Sequence, residues 1–303
     1  MIRAAAAFAA FALSASRCLA VCTTTEIGAI TFSGTTLPAY DPFTAPTPRL
    51  LTVNVTSTVA CSVELAFQST SNPARMIGPG ALTYDVQVQG SATSLLFVSG
   101  MPTTTTRIDI PAGNVGSVTV QIARPPNQVV SSGPYGDASL VAHIYDKAGS
   151  VLTPLKLASV PIAGSVAAAC QFAAPTNPTM NLSSAISHGL PQTGIVGTVT
   201  LPSLNCTAPS LVRLSAGPMR HASAGATAAF DNMIDFRAIA TLAGATAVLD
   251  TRSGAAAVST LPNVVSGATI NGSVTIDVNL LAGKPLLAGA YSSLLTLSID
   301  PIP

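Results

Sequence analysis

Leu51-Thr52-Val53-Asn54-Val55-Thr56 alternates apolar and polar side chains with a period of two. Tyr84-Asp85-Val86-Gln87-Val88-Gln89, Val118-Thr119-Val120-Gln121-Ile122 and Val274-Thr275-Ile276-Asp277-Val278 repeat the pattern. A period of two sends successive side chains to opposite faces of an extended chain, so each segment is expected to be a strand with one buried face. Gly, Pro and Asn between the segments supply turns. Many short strands punctuated in this way point to an all-β chain built of sandwiches. Ala222–Ala229 is the one Ala-rich stretch that reads as a short helix, and Gly225 and Thr227 count against it.

The solvent faces of these strands carry Thr, Ser, Gln and Asn in place of ions, and only 8% of the 303 residues are charged. An ordinary domain has about 25%. Lys plus Arg number 13 against 12 acids, which leaves no basic surplus for phosphates and so excludes nucleic acid as a partner. With 48% hydrophobic residues the chain is too apolar to be disordered, and it lacks the Glu and Lys flanks of a coiled coil. No apolar run of about 20 residues follows the N-terminus, as a polytopic membrane protein would need. The length suits about two domains.

Residues 1–20, MIRAAAAFAAFALSASRCLA, read as an export leader: Arg3, an apolar core from Ala4 to Ala15, and a small residue, Ala20, at the expected cleavage point. Removing it takes out Arg3 and Arg17 and turns the formal charge from +1 to −1. It also removes Cys18 and leaves Cys22, Cys61, Cys170 and Cys206. An even number of cysteines in an exported chain reads as disulfides, with three connectivities possible. Spacing favours Cys22 with Cys61 and Cys170 with Cys206. No pair has the short separation of zinc ligands, and no cofactor is expected.

The two cysteine pairs suggest two related units. Each unit closes on a glycine–tyrosine turn and an alternating strand: Gly133-Pro134-Tyr135-Gly136-Asp137 then Ala138–Tyr145, and Gly289-Ala290-Tyr291 then Leu294–Asp300. The two tyrosines lie about 155 residues apart, which indicates tandem domains and not a solenoid.

These landmarks resemble the spore coat protein U family, the pilins of archaic (Csu-type) chaperone–usher pili. The resemblance rests on Cys22 near the mature N-terminus, Cys61 at the end of the next long strand, and Pro73–Ile77 leading into Leu82-Thr83-Tyr84. It rests also on the Gly-Pro-Tyr-Gly-Asp strand and, in the second unit, on Ala169–Phe172, Leu204–Cys206 and Leu287–Tyr291. It implies two tandem Ig-like β-sandwiches, the second an incomplete pilin-like sandwich awaiting a donor strand. The expected organisation is a leader (1–20), an adhesin-like domain (21–153), a linker and cis-complementing strand (154–168) and a pilin-like domain (169–303). Leu155-Lys156-Leu157-Ala158 alternates and Val160, Ile162 and Val166 continue it, with Pro161 marking an edge or a crossing point because it cannot donate to a ladder. With Cys22 so close to the cleavage point the chain offers no donor segment. With Pro301-Ile302-Pro303 closing the sequence, Tyr291, Leu295, Leu297 and Ile299 should flank an open acceptor groove.

A subunit that accepts a strand and offers none belongs at a fibre end, so the resemblance implies a pilus tip adhesin active in attachment and biofilm formation, exported through the periplasm to the cell surface. Its implied partners are a periplasmic chaperone, an outer-membrane usher, the adjacent pilin subunit and an unknown surface or receptor. Candidate contact residues in apolar loops are Tyr40 and Phe43, Leu95, Leu96, Phe97, Val98 and Met101, and Val129 and Val130. A buried strand is the competing reading of Leu95–Val98. A spore-coat-like structural protein or a secreted carbohydrate-binding module are the alternative functions. No enzymatic motif emerges. The three histidines are scattered, there is no G-x-S-x-G elbow or phosphate loop, and Leu190-Pro191-Gln192-Thr193-Gly194 lies too far from the C-terminus to serve as a sortase signal.

Overall fold

The computed structural model describes residues 20–173, 177–222, 229–253, 257–258 and 263–302. The leader lies outside these residues except for Ala20, as does most of the Ala-rich stretch 222–229. The described residues are all-β apart from two three-residue 3-10 turns, Ser183–Ala185 and Thr251–Ser253.

The first unit contains β1 (Ile27–Ser33), β2 (Arg49–Ser57), β3 (Cys61–Gln68), β4 (Ala74–Ile77), β5 (Ala81–Val88), β6 (Thr106–Ile110), β7 (Val115–Ala123), β8 (Gly133–Asp137), β9 (Val141–Ala148), β10 (Val151–Ser159) and β11 (Ile162–Val166). One sheet runs β11-β8-β4-β5-β7-β2-β1. The other runs β3-β9-β10, with β6 on the far edge of β3 and the short strands Ala20–Val21 and Leu96–Phe97 also paired to β3. The alternation that announced β2 is realised as Leu51, Val53 and Val55, all fully buried, with Thr52, Asn54 and Thr56 half-exposed between them.

The second unit contains β12 (Cys170–Phe172), β13 (Gly194–Cys206), β14 (Ser210–Ala216), β15 (Phe236–Leu242), β16 (Ala245–Asp250), β17 (Asn263–Val265), β18 (Thr269–Leu280) and β19 (Thr296–Pro301). One sheet runs β12-β13-β18-β15-β16. In the other, β14 has β17 and Ala257–Val258 on one edge and β19 on the opposite edge. Each unit has its own apolar core, one running from Cys22 to Val166 and one from Ala185 to Leu286.

The disulfides join Cys22 to Cys61 and Cys170 to Cys206, across 39 and 36 residues. Closing loops of that length removes about 3–4 kcal/mol of unfolded-state entropy per bridge. Cys61 opens β3, where the sequence reading put it at the end of a strand, because the turn after Ser57 has already ended β2. Cys170 and Cys206 face each other directly across the β12–β13 ladder.

The two closing tyrosines perform the same local task. Tyr135 Oη donates to Ser131 O at 2.7 Å. Tyr291 Oη lies 3.0 Å from Leu287 O, again four residues upstream. Such a bond pins the corner where the chain turns back across a sandwich.

After β9 the first unit continues along a single run from Val151 to Val166. β10 pairs antiparallel with β9, so that Ala142 faces Ala158 and Ile144 faces Lys156. The run then passes through Val160 and Pro161 and enters the other sheet as β11, antiparallel to β8. Pro161 has no N–H to donate and sits where neither ladder demands one. Val160, Ile162 and Val166 are buried in the first core.

Candidate functional site

Strand β19 is where the second sandwich differs from the first. It pairs antiparallel with β14, placing Leu297 opposite Leu214 and Ile299 opposite Val212. Side chains directly opposite in a ladder point to the same face. Leu214 and Val212 are completely buried, whereas Leu297 and Ile299 on that face remain half-exposed. The missing cover lies on the free edge of β19, where no strand pairs with it among the described residues. In the first unit the corresponding side chains, Ala142 and Ile144 on β9, are fully buried beside β10.

The apolar exposure extends beyond β19. Tyr291 and Leu295 precede it, and Phe172, Met180 and Leu182 belong to the segment that enters the second unit; all are half-buried and packed against the second core. Strand β12 approaches β19 from the opposite sheet. An unpaired row of N–H and C=O groups beside half-covered apolar side chains is the chemistry of a strand acceptor: the backbone supplies hydrogen bonds and the alternate pockets select side chains. The four acceptor residues expected from the sequence, Tyr291, Leu295, Leu297 and Ile299, all pack against this one core.

The proposed surface-contact residues do not gather in one place, and several are not on the surface. Tyr40 is 1% exposed, with Oη donating to Pro125 O at 2.8 Å and accepting from the Gln128 N–H at 3.0 Å. Leu95, Leu96 and Phe97 are buried because Leu96–Phe97 is a strand paired with β3. These four are core residues, which corrects the expectation that they line exposed loops. Phe43, Val129 and Val130 are half-buried, and Val98 and Met101 are exposed. Tyr40 bridges to Val166 beside the start of the second unit, and Ser132 N–H donates to Thr207 O of that unit at 2.6 Å. The Tyr40 and Val129–Val130 loops therefore lie at the junction end of the first unit.

Strand register identifies the opposite end. Ala148 pairs with Val151, Ile27 with Ser57, Thr56 with Val115 and Cys61 with Ile110. The turns at 23–26, 57–60, 111–114 and 148–150 therefore share the pole away from the junction. Val151 and Val115 stand at its rim, 63% and 50% exposed. The sequence reading did not select them, because a valine at a strand start looks like any other strand residue. Their signal is the Gly149-Ser150 and Gly113-Asn114 turns just before them.

The outer face of the β3–β9–β10 sheet holds a small polar–aromatic cluster that the sequence did not reveal. Gln68 donates through Nε2 to Val98 O at 3.2 Å, so its Oε1 accepts from His143 Nε2 at 2.8 Å, and His143 Nδ1 accepts from the Tyr145 hydroxyl at 3.2 Å. Phe97 meets the imidazole edge-on at 5.1 Å. Burial pulls the His143 pKa below its ordinary value, which suits the neutral tautomer these bonds require. No group of three or more His, Cys, Asp or Glu converges as a metal site among the described residues.

No family model and no curated protein matches the chain. Among solved structures, it resembles the CsuC–CsuE chaperone–tip adhesion subunit pre-assembly complex of archaic Csu pili from Acinetobacter baumannii. The identity is 12% and the TM-score 0.42, with 90% of this chain and 100% of that one covered. It also resembles CfaE, the adhesive subunit of CFA/I fimbria of enterotoxigenic Escherichia coli (11% identity, TM-score 0.38, 88% and 91% covered). A third similar structure is the CupB6 tip adhesin of Pseudomonas aeruginosa (10%, TM-score 0.33, 90% and 95% covered).

Proposed function

We propose that this protein is the tip adhesin of an archaic chaperone–usher pilus. In this reading the second unit is joined to the shaft by a donor strand laid along β19, and the first unit faces the target. The observation that carries the reading is the half-exposed state of Leu297 and Ile299 opposite fully buried Leu214 and Val212. A periplasmic chaperone, and then the adjacent pilin, would cover that row, with the usher exchanging one for the other. The first unit needs no donor, since Val151–Val166 already occupies both of its sheets. It would therefore be free to attach, through Val115 and Val151 at the far pole or through Val98 and Met101 on the flank. Immunogold label against the first unit should appear once per fibre, at one end.

The test is the state of the second unit. The exported chain expressed alone is expected to aggregate. Co-expressed chaperone, or a copy of 151–166 appended through a flexible linker, should restore a soluble monomer. A chain that is monomeric and equally stable without either addition would sink the reading. Val115→Asp with Val151→Asp, and Val98→Asp with Met101→Asp, made in assembled pili, then ask which apolar set attaches.

A further inference from the structure

Arg124 is buried without an ion pair. It is 7% exposed, and no carboxylate of the described residues forms an ion pair with it. Its partners are neutral: Nη1 donates to Pro38 O at 2.8 Å, and the guanidinium lies 5.3 Å from the centre of the Tyr40 ring. Proteins seldom remove a charge from water in this way unless an opposite charge or a ligand meets it. A guanidinium has five N–H donors in a planar fork that matches a carboxylate. No buried side-chain nitrogen among the described residues is both sealed from solvent and unbonded. The unused donors of Arg124 therefore keep contact with solvent, and Arg124 lines the recess beside it.

That recess has a volume of about 150 Å³ and is lined by Pro38–Asp41, Thr44–Thr47 and Arg124. At roughly 30 Å³ per water it has room for about five, well below the roughly 300–1,000 Å³ of a drug-sized site. Thr44 and Thr47 bring hydroxyls. Asp41 Oδ1 accepts from the Phe43 N–H at 2.9 Å, which holds the carboxylate in the wall and leaves its second oxygen to accept. Tyr40 is fixed by its two bonds to Pro125 and Gln128, so the ring and the fork above it are set before any ligand arrives.

The geometry points to a binding site for a single acidic sugar residue, with the Arg124 fork taking its carboxylate and Asp41, Thr44 and Thr47 taking its hydroxyls. Asp41 decides between a sugar and a bare anion. A second carboxylate in the wall repels a simple anion, and it is useful only to a ligand that brings O–H donors together with its negative charge. The recess is lined by residues of the first unit alone.

The experiment is titration of the full exported chain, kept soluble by its chaperone or by an appended strand, with glucuronic acid, glucose and sulfate. Glucuronic acid is expected to bind at least tenfold more tightly than either of the others. Arg124→Gln should abolish the preference over glucose, and Arg124→Lys should recover part of it. Because Arg124→Gln also removes the contact with Tyr40, Thr47→Val serves as the second variant; it should weaken glucuronic acid severalfold with an unchanged melting temperature. Equal binding of glucose and glucuronic acid, no binding of either, or sulfate binding as tightly as glucuronic acid would each overturn the proposal. So would full retention of glucuronic acid binding by both Arg124→Gln and Thr47→Val.

Discussion

Strands β9 and β19 hold corresponding places in the two sandwiches. Each follows a tyrosine whose hydroxyl is tied to a carbonyl four residues back, and each pairs antiparallel with a strand that buries its inward side chains completely. On the free edge of β9 the chain lays down Val151–Val166, and Ala142 and Ile144 vanish from the surface. On the free edge of β19 no described strand lies, and Leu297 and Ile299 stay half-exposed. One strand of cover separates a finished core from an unfinished one. The cover is a continuous run of 16 residues that crosses between sheets at Pro161, so an occupant of the second edge has a template within the same chain.

Matched substitutions in the two units test this difference. The largest effect is expected from Val160→Asp, which places a carboxylate at a fully buried position. It should cost about 4–5 kcal/mol or more and unfold the first unit, read as the loss of its thermal transition. Ile299→Asp in the second unit should cost only about 1–2 kcal/mol in the uncovered chain, yet abolish capture by chaperone or appended strand. If Ile299→Asp unfolded the uncovered second unit as thoroughly as Val160→Asp unfolds the first, the edge would already be closed.

Next in size is the replacement of Cys170 and Cys206 by Ser. It should lower the stability of the second unit by about 3–4 kcal/mol and leave the first transition in place. Leu297→Ala follows. It is expected to cost about 1 kcal/mol uncovered and about 2–5 kcal/mol once a donor strand buries it. Equal values in the two states would mean that the donor does not touch Leu297.

The smallest effect concerns pH. The folded-state pKa of His143 is lowered by burial, so below the unfolded value of about 6.5 the unfolded chain binds a proton that the folded chain resists. Stability from this group is therefore complete above that value and is lost as pH falls through it toward the folded pKa. The melting temperature of the first unit should decline slightly from pH 7 to pH 5, and His143→Gln should flatten the decline. A slope unchanged by the substitution would assign the effect elsewhere.

Much of the fold was legible because strand alternation is a local signal. Leu51–Thr56 and Val274–Val278 carry their faces in their own spelling, and the cysteine spacing favoured the two bridges that form. The packing of Tyr291, Leu295, Leu297 and Ile299 against the second core was legible for the same reason, as they sit on or just before an alternating terminal strand. The burial of the contact candidates Tyr40, Leu95, Leu96 and Phe97 was not. Leu95-Leu96-Phe97-Val98 spells an apolar run whether it lies in a loop or under a sheet, and only its pairing with β3 decides the matter. Tyr40 looked exposed between two prolines, and a hydrogen bond to Pro125, 85 residues away, takes it inside. Arg124 gave no local sign, because its carbonyl partner Pro38 lies 86 residues off, and His143 showed only its neighbour Tyr145, because Gln68 lies 75 residues away.

The sequence alone indicated an all-β fold whose strands face water with Thr, Ser, Asn and Gln and two tyrosine-closed units in tandem, with spacing favouring one cysteine pair in each. These are properties of periods and short spacings, and the chain carries them before it folds. The tertiary structure decided which edges are covered, which end of the first unit points away from the second, and that Arg124 is buried against neutral partners. Each of those depends on what a distant segment does, since an edge is open, or a guanidinium left without an ion pair, only with respect to everything else that could have reached it.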